Sequence, residues 1–259
     1  MGILNVTPDS RFGSDYYQQV TAALQRAEQM IAEGATIIDV GGESTKPGAL
    51  PVSEQEELDR VMPVIEGLTQ RTSAIISVDT RKAAVMQAAI AAGVHMINDV
   101  EALATPVALS VVANSNVAVC LMHMQNQPQS MQLKPHYVDV VMEVKNFLLQ
   151  QVRKCLAAGI ASDRILIDPG FGFGKTLQHN LQLLKHLQEF TELKIPVLVG
   201  LSRKSMLEQL LGLAVEQRLY ASIALAVLAV SKGAVIVRTH DVRPTFEAIK
   251  TAAALCSPL

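Results

Sequence analysis

Ile165-Leu166-Ile167-Asp168 is a short apolar run that stops on a carboxylate. It is followed by Pro169-Gly170-Phe171-Gly172-Phe173-Gly174-Lys175 and then by a helical stretch from Thr176 to Phe190. A run this short and this apolar fits a strand buried on both faces, as in a parallel sheet. The same order of apolar run, polar end, loop and helix recurs along the whole chain. Upstream runs are Gly2 to Asn5, Thr36 to Asp39, Ile75 to Asp79, His95 to Asp99 and Val117 to His123; Val197 to Gly200 and Val235 to Arg238 follow. Between them, Tyr17 to Glu33 carries Val20, Leu24, Ala27, Met30 and Ile31 at helical spacing, closed by Gly34. Ser53 with Glu56 reads as a helix start, and Thr105-Pro106 as another. Tyr137 to Ala158, expected to be the longest, Thr176 to Phe190, Lys204 to Leu211, Glu216 to Ser231 and Arg243 to Ala254 complete the helices.

About eight strand–helix units in 259 residues predict an α/β fold, a single (β/α)8 TIM barrel over residues 1–259. An open doubly wound sheet uses the same units, but length and unit count favour the closed barrel. No Ser/Gly linker or charge block divides the chain. Hydrophobic residues at 49% against 18% charged exclude a disordered chain, and a net charge of -2 argues against a broad basic face for nucleic acid. Cys120, Cys155 and Cys256 lack metal or disulfide spacing. No signal peptide is visible, and the apolar run Ala221 to Val230 falls short of the roughly 20 residues a bilayer needs. The expectation is a cytoplasmic protein with neither membrane nor nucleic-acid partner.

In either fold a ligand sits beyond the carboxyl ends of the strands. Those ends carry Asn5, Asp39, Asp79, Asn98 with Asp99, His123, Asp168, Ser202-Arg203-Lys204, and Arg238 with His240. Polar groups pointing into a partly dry mouth cost free energy unless paired or used. Asp79, Asn98 and Asp168 are acceptors from the middle of the chain. Asn5, Arg238 and His240 come from the first and last units, neighbours once the barrel closes. This split predicts an anion site beside a site for a flat, donor-rich ring. Asp39, ahead of Gly41-Gly42, reads as a cap or salt-bridge partner.

The Gly174-Lys175-Thr176 tripeptide invites a phosphate-loop reading, but the spacing requires a glycine where Pro169 stands. The alternating glycines instead let the backbone approach a ligand and present Phe171 and Phe173, an aromatic surface beside Asp168. Arg203 reads as usable or as tied to an acid. His123 reads as a hydrogen-bonded core histidine rather than a metal ligand.

In order along the chain, Asn5-Val-Thr-Pro-Asp-Ser10, Asp39-Val-Gly-Gly-Glu-Ser-Thr-Lys-Pro-Gly48, Ser77-Val-Asp-Thr80, Ile97-Asn-Asp99, Leu121-Met-His-Met124, Asp168 to Lys175, Gly200-Leu-Ser-Arg-Lys-Ser205 and Val237-Arg-Thr-His-Asp241 resemble the dihydropteroate synthase family, the folate-pathway enzymes that sulfonamides inhibit. The resemblance implies condensation of hydroxymethyl-dihydropterin pyrophosphate with p-aminobenzoate, assisted by Mg2+, with release of pyrophosphate. It implies a pterin held by Asp79, Asn98, Asp168 and Lys204 and walled by Met122, Phe173 and Gly200. Asn5, Thr45, Lys46, Arg238 and His240 would hold the pyrophosphate, with Asn5 near the Mg2+. Thr45, Pro47, Lys204 and Ser205 would border the p-aminobenzoate site. Asp79, Asp168 and Lys204 are the catalytic candidates. With a good leaving group, the site must stabilise charge at both ends of the breaking bond, and a dissociative substitution is expected.

Two departures stand out. The family commonly has Phe-Ser-Asp-Gly-Gly after Ser10, where this chain continues with Arg11-Phe12-Gly13; the run is expected to be a mobile segment missing from the structure. Lys46 stands where the family commonly has Arg, which keeps the charge but loses the two-pronged phosphate contact. A pterin-binding methyltransferase domain and a non-catalytic pterin-binding barrel are the alternatives. The apolar helix from Glu216 to Ser231 is expected to pair with a second copy, giving a homodimer.

Overall fold

Strand β1 (Gly2–Asn5) begins a series that includes β2 (Ile37–Gly41), β3 (Ile75–Asp79), β4 (Met96–Asp99), β5 (Ala118–Met122) and β6 (Ile165–Asp168), and ends with β7 (Leu198–Gly200) and β8 (Ile236–Arg238). The structure, a computed structural model, describes residues 1–6, 14–44, 48–126 and 130–256, without the side chains of 14–17 and 256. Strands β1 to β6 hydrogen-bond in sequence order, each parallel to the next, and β7 pairs parallel with β8. Single parallel bridges, Ile167 to Val197 and Gly2 to Thr239, join the two groups at both seams. Across the second seam the Ile3 amide donates to Thr239 O at 3.0 Å and the Thr239 amide to Met1 O at 2.9 Å. The strand order therefore runs from β1 to β8 and back to β1, as the eight-unit reading predicts.

The ten helices among the described residues are α1 (Ser14–Ala32), α2 (Glu54–Arg71), α3 (Ala83–Ala91), α4 (Pro106–Ala113), α5 (Val140–Ala157), α6 (Leu177–Lys185), α7 (Gln188–Thr191), α8 (Met206–Leu211), α9 (Leu219–Ser231) and α10 (Val242–Cys256). Ser53 caps α2 by accepting the Glu56 amide, and Thr105 caps α4, whose first residue is Pro106. Helix α3 escapes the periodicity reading. Its sequence AAVMQAAIA is apolar nearly all round, so it has no polar face to outline a stripe. The expected longest helix is shorter than read, because Asp139 caps α5 at Val140; α1, with 19 residues, exceeds it. The stretch from Thr176 to Phe190 breaks into α6 and α7. No helix among the described residues is long and apolar enough to cross a membrane.

Strand side chains alternate between two cores. Outward-facing Ile38, Val40, Ile76, Val78, Ile97, Val119, Leu121, Ile167 and Val199 pack against the helices. Inward-facing Met96, Cys120, Leu166 and Leu198, with Met1, Ala118 and Ile236, form a separate plug inside the ring. Above that plug the same alternation carries the polar strand ends inward.

The run after Ser10 is missing from the chain itself and not merely from the structure, since Ser10 and Arg11 are consecutive in the sequence. Residues 7–13 lie outside the described residues, as does the stretch of Thr45, Lys46 and Pro47.

Candidate active site

Register decides what faces the cavity. Gly41 pairs with Asn5 and Asp79, Asp79 with Asn98, Asp168 with Met122, and Arg238 with Gly200. These residues are the last inward positions of their strands, so all eight strands contribute to one ring of groups. Gly41 leaves room between its neighbours: a Cβ there would stand 3.6 Å from Asn5 Oδ1 and 3.8 Å from Asp79 Oδ2. A Cβ on Gly200 would meet nothing within 4 Å, which marks open space on the opposite wall. Asp99 takes the other face of β4. It accepts the amides of Glu101 at 2.8 Å and Leu103 at 2.7 Å, closing the following turn instead of facing the cavity.

Arg238 binds the acids. Its Nε donates to Asp39 Oδ2 at 2.6 Å and its Nη2 to Asp79 Oδ2 at 2.7 Å. The sequence reading set this arginine apart in an anion site; the structure joins it to the acidic floor. Asp39, read as a cap or salt-bridge partner, is that partner, and it also accepts Asn98 Nδ2 at 3.1 Å. Burial raises the Asp79 carboxyl well above the ordinary carboxylate range, an effect Arg238 opposes and Asp39, Glu57 and Asp99 reinforce. Burial likewise pushes Asp168 up to about 6, against the Gly170 amide and the ammoniums of Lys204 and Lys175.

The glycine loop closes one side. Asp168 Oδ1 accepts the Gly170 amide at 2.7 Å, and Asn180 Oδ1 accepts that of Gly172 at 2.7 Å. Lys175 turns into its own loop, donating to Gly170 O at 2.8 Å and Phe173 O at 2.9 Å and meeting His123 Nδ1 at 3.0 Å. A lysine spent in this way cannot serve a nucleotide phosphate, which agrees with the failed spacing. Gly170, at φ +71°, has no alternative: a Cβ would stand 1.9 Å from His123 O. Phe171 does not face the cavity as expected. It is fully buried in the outer core, because Gly170 and Gly172 at positive φ turn the chain and send the two phenylalanines to opposite sides. Phe173 packs with Val100, Met122 and Met131, and Lys204 Nζ stands 4.0 Å above its ring centre. Burial, and then Arg238, lower the Lys204 ammonium to about 8.

At the rim, Ser202 Oγ accepts the His240 amide at 3.2 Å and meets His240 Nδ1 at 3.1 Å. His240 keeps an exposed edge, yet loss of hydration, then Arg238 and Arg203, push its imidazole down to about 4. Arg203 is structural: Nε and Nη2 grip both oxygens of Asp241 at 2.9 and 2.6 Å. Ser205 is exposed at the start of α8. His123 is buried, edge-on to Phe147 at 5.0 Å, and held neutral by burial and Lys175, in keeping with a core role. The structure thus brings Asn5, Asp79, Asn98, Met122, Asp168, Phe173, Gly200, Lys204 and Arg238 to one end of the ring, with His240 and Ser205 on the segments that leave it. Sequence reasoning missed Ser202 as the support of His240 and Met131 as a wall; the first sits in the quoted strand end, the second carries no local signal.

The family described as pterin binding enzyme matches residues 1–240. Dihydropteroate synthase of Escherichia coli is 50% identical over 257 residues, covering 99% of this chain and 91% of that protein. Among solved structures, the Yersinia pestis dihydropteroate synthase with a sulfonamide drug complex superposes with a TM-score of 0.94 at 51% identity, covering 99% of this chain and 94% of that one. The Xanthomonas albilineans dihydropteroate synthase in complex with 7,8-dihydropteroate does so with a TM-score of 0.88 at 44% identity, covering 100% and 92%. A closed ring of parallel strands, an inward acidic floor and a match over nearly its whole length place this chain in the pterin binding enzyme family.

Proposed function

We propose that this protein joins hydroxymethyl-dihydropterin pyrophosphate to p-aminobenzoate, releasing pyrophosphate and forming dihydropteroate. The observation that carries the reading is the inward ring of Asp79, Asn98 and Asp168 beside Lys204 and Arg238, in a chain half identical to dihydropteroate synthases. Asp79, Asn98 and Asp168 offer acceptors to the ring's donors, and Phe173 and Met122 offer it an apolar wall. As the methylene C–O bond breaks, its electron pair leaves with the diphosphate and positive charge spreads into the ring. The Asp79 and Asp168 carboxylates favour that charge where burial leaves little water to screen it. The arylamine nitrogen then forms the C–N bond and gives up its proton. Lys204, its ammonium over the Phe173 ring, supplies a cation on the side from which the amine comes.

Thr45, Lys46, Pro47, Ser205 and His240 take the p-aminobenzoate and diphosphate contacts in this reading. Mg2+ fits Asn5. Its amide oxygen is a hard neutral donor at the rim, and among the described residues no group of three His, Cys, Asp or Glu side chains gathers into a cage, so a cation here would share its ligands with substrate phosphates and water. When bound, such an ion neutralises the departing diphosphate. Exposed Tyr220 and Leu228 on α9 and Phe246 on α10 support a homodimer built on this face, and the free buried thiols of Cys120 and Cys155 support a reducing cytoplasm.

The test is a pyrophosphate-release assay with both substrates, with and without Mg2+, together with mass spectrometry of the product. Pyrophosphate and dihydropteroate in equal amounts are expected; transfer of a methyl group instead, or binding without turnover, would refute the reading.

A further inference from the structure

Asp39 lies one inward position below the rim of β2 and is wholly buried. Its Oδ2 accepts from both Arg238 Nε and Asn98 Nδ2, whereas its Oδ1, equally buried, has no hydrogen-bond partner among the described residues. Ser77, paired with it on β3, is also fully buried with its hydroxyl unpartnered. A buried carboxylate with an idle oxygen is a poor way to gain stability; apolar packing of similar size generally does better. What this carboxylate does is hold two donors that come from opposite sides of the ring.

Each donor gains an orientation it would otherwise lack. The Asn98 amide can sit in two ways that differ by a half-turn, and only one gives its NH2 to a carboxylate. With Nδ2 directed at Asp39, Oδ1 is left as the acceptor for whatever lies above. The Arg238 guanidinium uses Nε for Asp39 and Nη2 for Asp79, so two carboxylates on adjacent strands fix its plane. Without Asp39 the guanidinium could swing about Asp79 toward the diphosphate side.

We propose that Asp39 is a positioning residue, setting the Asn98 amide and the Arg238 guanidinium against the pterin without touching substrate itself. The inference rests on the pterin reading above and deepens it; wild-type turnover in the same assay tests that reading separately.

Asp39→Asn keeps the shape and removes the shared charge. The expected result is an unchanged circular dichroism spectrum, a fall of about 100-fold or more in kcat/KM for the pterin diphosphate, and a KM for p-aminobenzoate within about threefold of wild type. Arg238→Lys is expected to fall comparably, and the double variant no further than the worse single one, because the two side chains act as one unit. Losses that multiply in the double variant, or a folded Asp39→Asn protein within about threefold of wild type, overturn the inference. If Asp39→Asn does not fold, Arg238→Lys decides: weaker binding of hydroxymethylpterin lacking the diphosphate supports it, and weaker binding of inorganic pyrophosphate alone overturns it.

Discussion

Arg238, on the last strand, donates from Nη2 to Asp79 Oδ2, on the third, at 2.7 Å, so the cation and the central acid of the cavity form one ion pair. The pairing opposes the effect of burial on this carboxylate without cancelling it, and it engages Oδ2. Asp79→Asn is expected to lower the chemical rate by roughly 10²–10³-fold while pterin affinity falls far less, since a neutral amide still accepts a hydrogen bond but does not offset developing positive charge. Single-turnover rates set against equilibrium binding check this; equal losses in both would reduce Asp79 to a binding role.

Activity and stability are expected to respond to acid in opposite directions at Asp168. Burial raises its folded pKa to about 6, above the ordinary carboxylate value of 3.8. Lowering the pH through 6 therefore neutralises the group in the folded protein, and kcat/KM for the pterin diphosphate should decline. Over the same interval the folded state binds more protons than the unfolded one, so this group's contribution to stability grows on acidification and is lost as pH rises through about 6. Thermal unfolding of Asp168→Asn beside wild type reads the difference: the variant gains relative to wild type at pH 8 and gives back part of that gain at pH 5.

Lys175 holds its loop through Gly170 O, Phe173 O and His123 Nδ1. Lys175→Met removes these contacts and a further one to His123 O at 3.3 Å, and should destabilise the fold by about 3 kcal/mol in urea denaturation, since hydrogen bonds to a charged group contribute about 1.5–3 kcal/mol each and the buried charge's own cost is recovered. Pterin affinity should weaken with it, because Phe173 belongs to the same loop. Unchanged stability would show that the loop is held by its other bonds alone.

Gly170→Ala should be worse than its size suggests. The added methyl would stand 1.9 Å from a backbone oxygen at a φ of +71°. A loss above about 2 kcal/mol, or failure to fold, is expected in the same denaturation series.

His240 is pushed down to about 4 beside Arg238 and Arg203. A diphosphate placed against it would favour the imidazolium, so inorganic pyrophosphate should bind with proton uptake near pH 6. Calorimetry in two buffers of different ionisation enthalpy measures it; His240→Gln should abolish the buffer dependence.

The local pattern made much of this legible. Ile165-Leu166-Ile167-Asp168, and seven runs like it, announced the strands and their polar ends, and Ser53 and Thr105 announced helix starts. Helix α3 stayed hidden because Ala83–Ala91 buries or half-buries nearly every face, leaving no contrast for periodicity to detect. Phe171 and Phe173, two residues apart on one glycine loop, could not be sorted into core and cavity, since positive-φ glycines between them turn the chain in ways the residue names do not specify. Asp39 looked like a cap because its partners lie 59 and 199 positions away.

The amino-acid order by itself determined which groups stand at the ends of strands, because apolar runs, capping residues and glycines act over a few neighbours. Whether those groups share a cavity, which acid holds Arg238, and which phenylalanine lies outside the outer core were decided only when the ring closed, because strand register and burial are set by contacts between residues far apart along the chain.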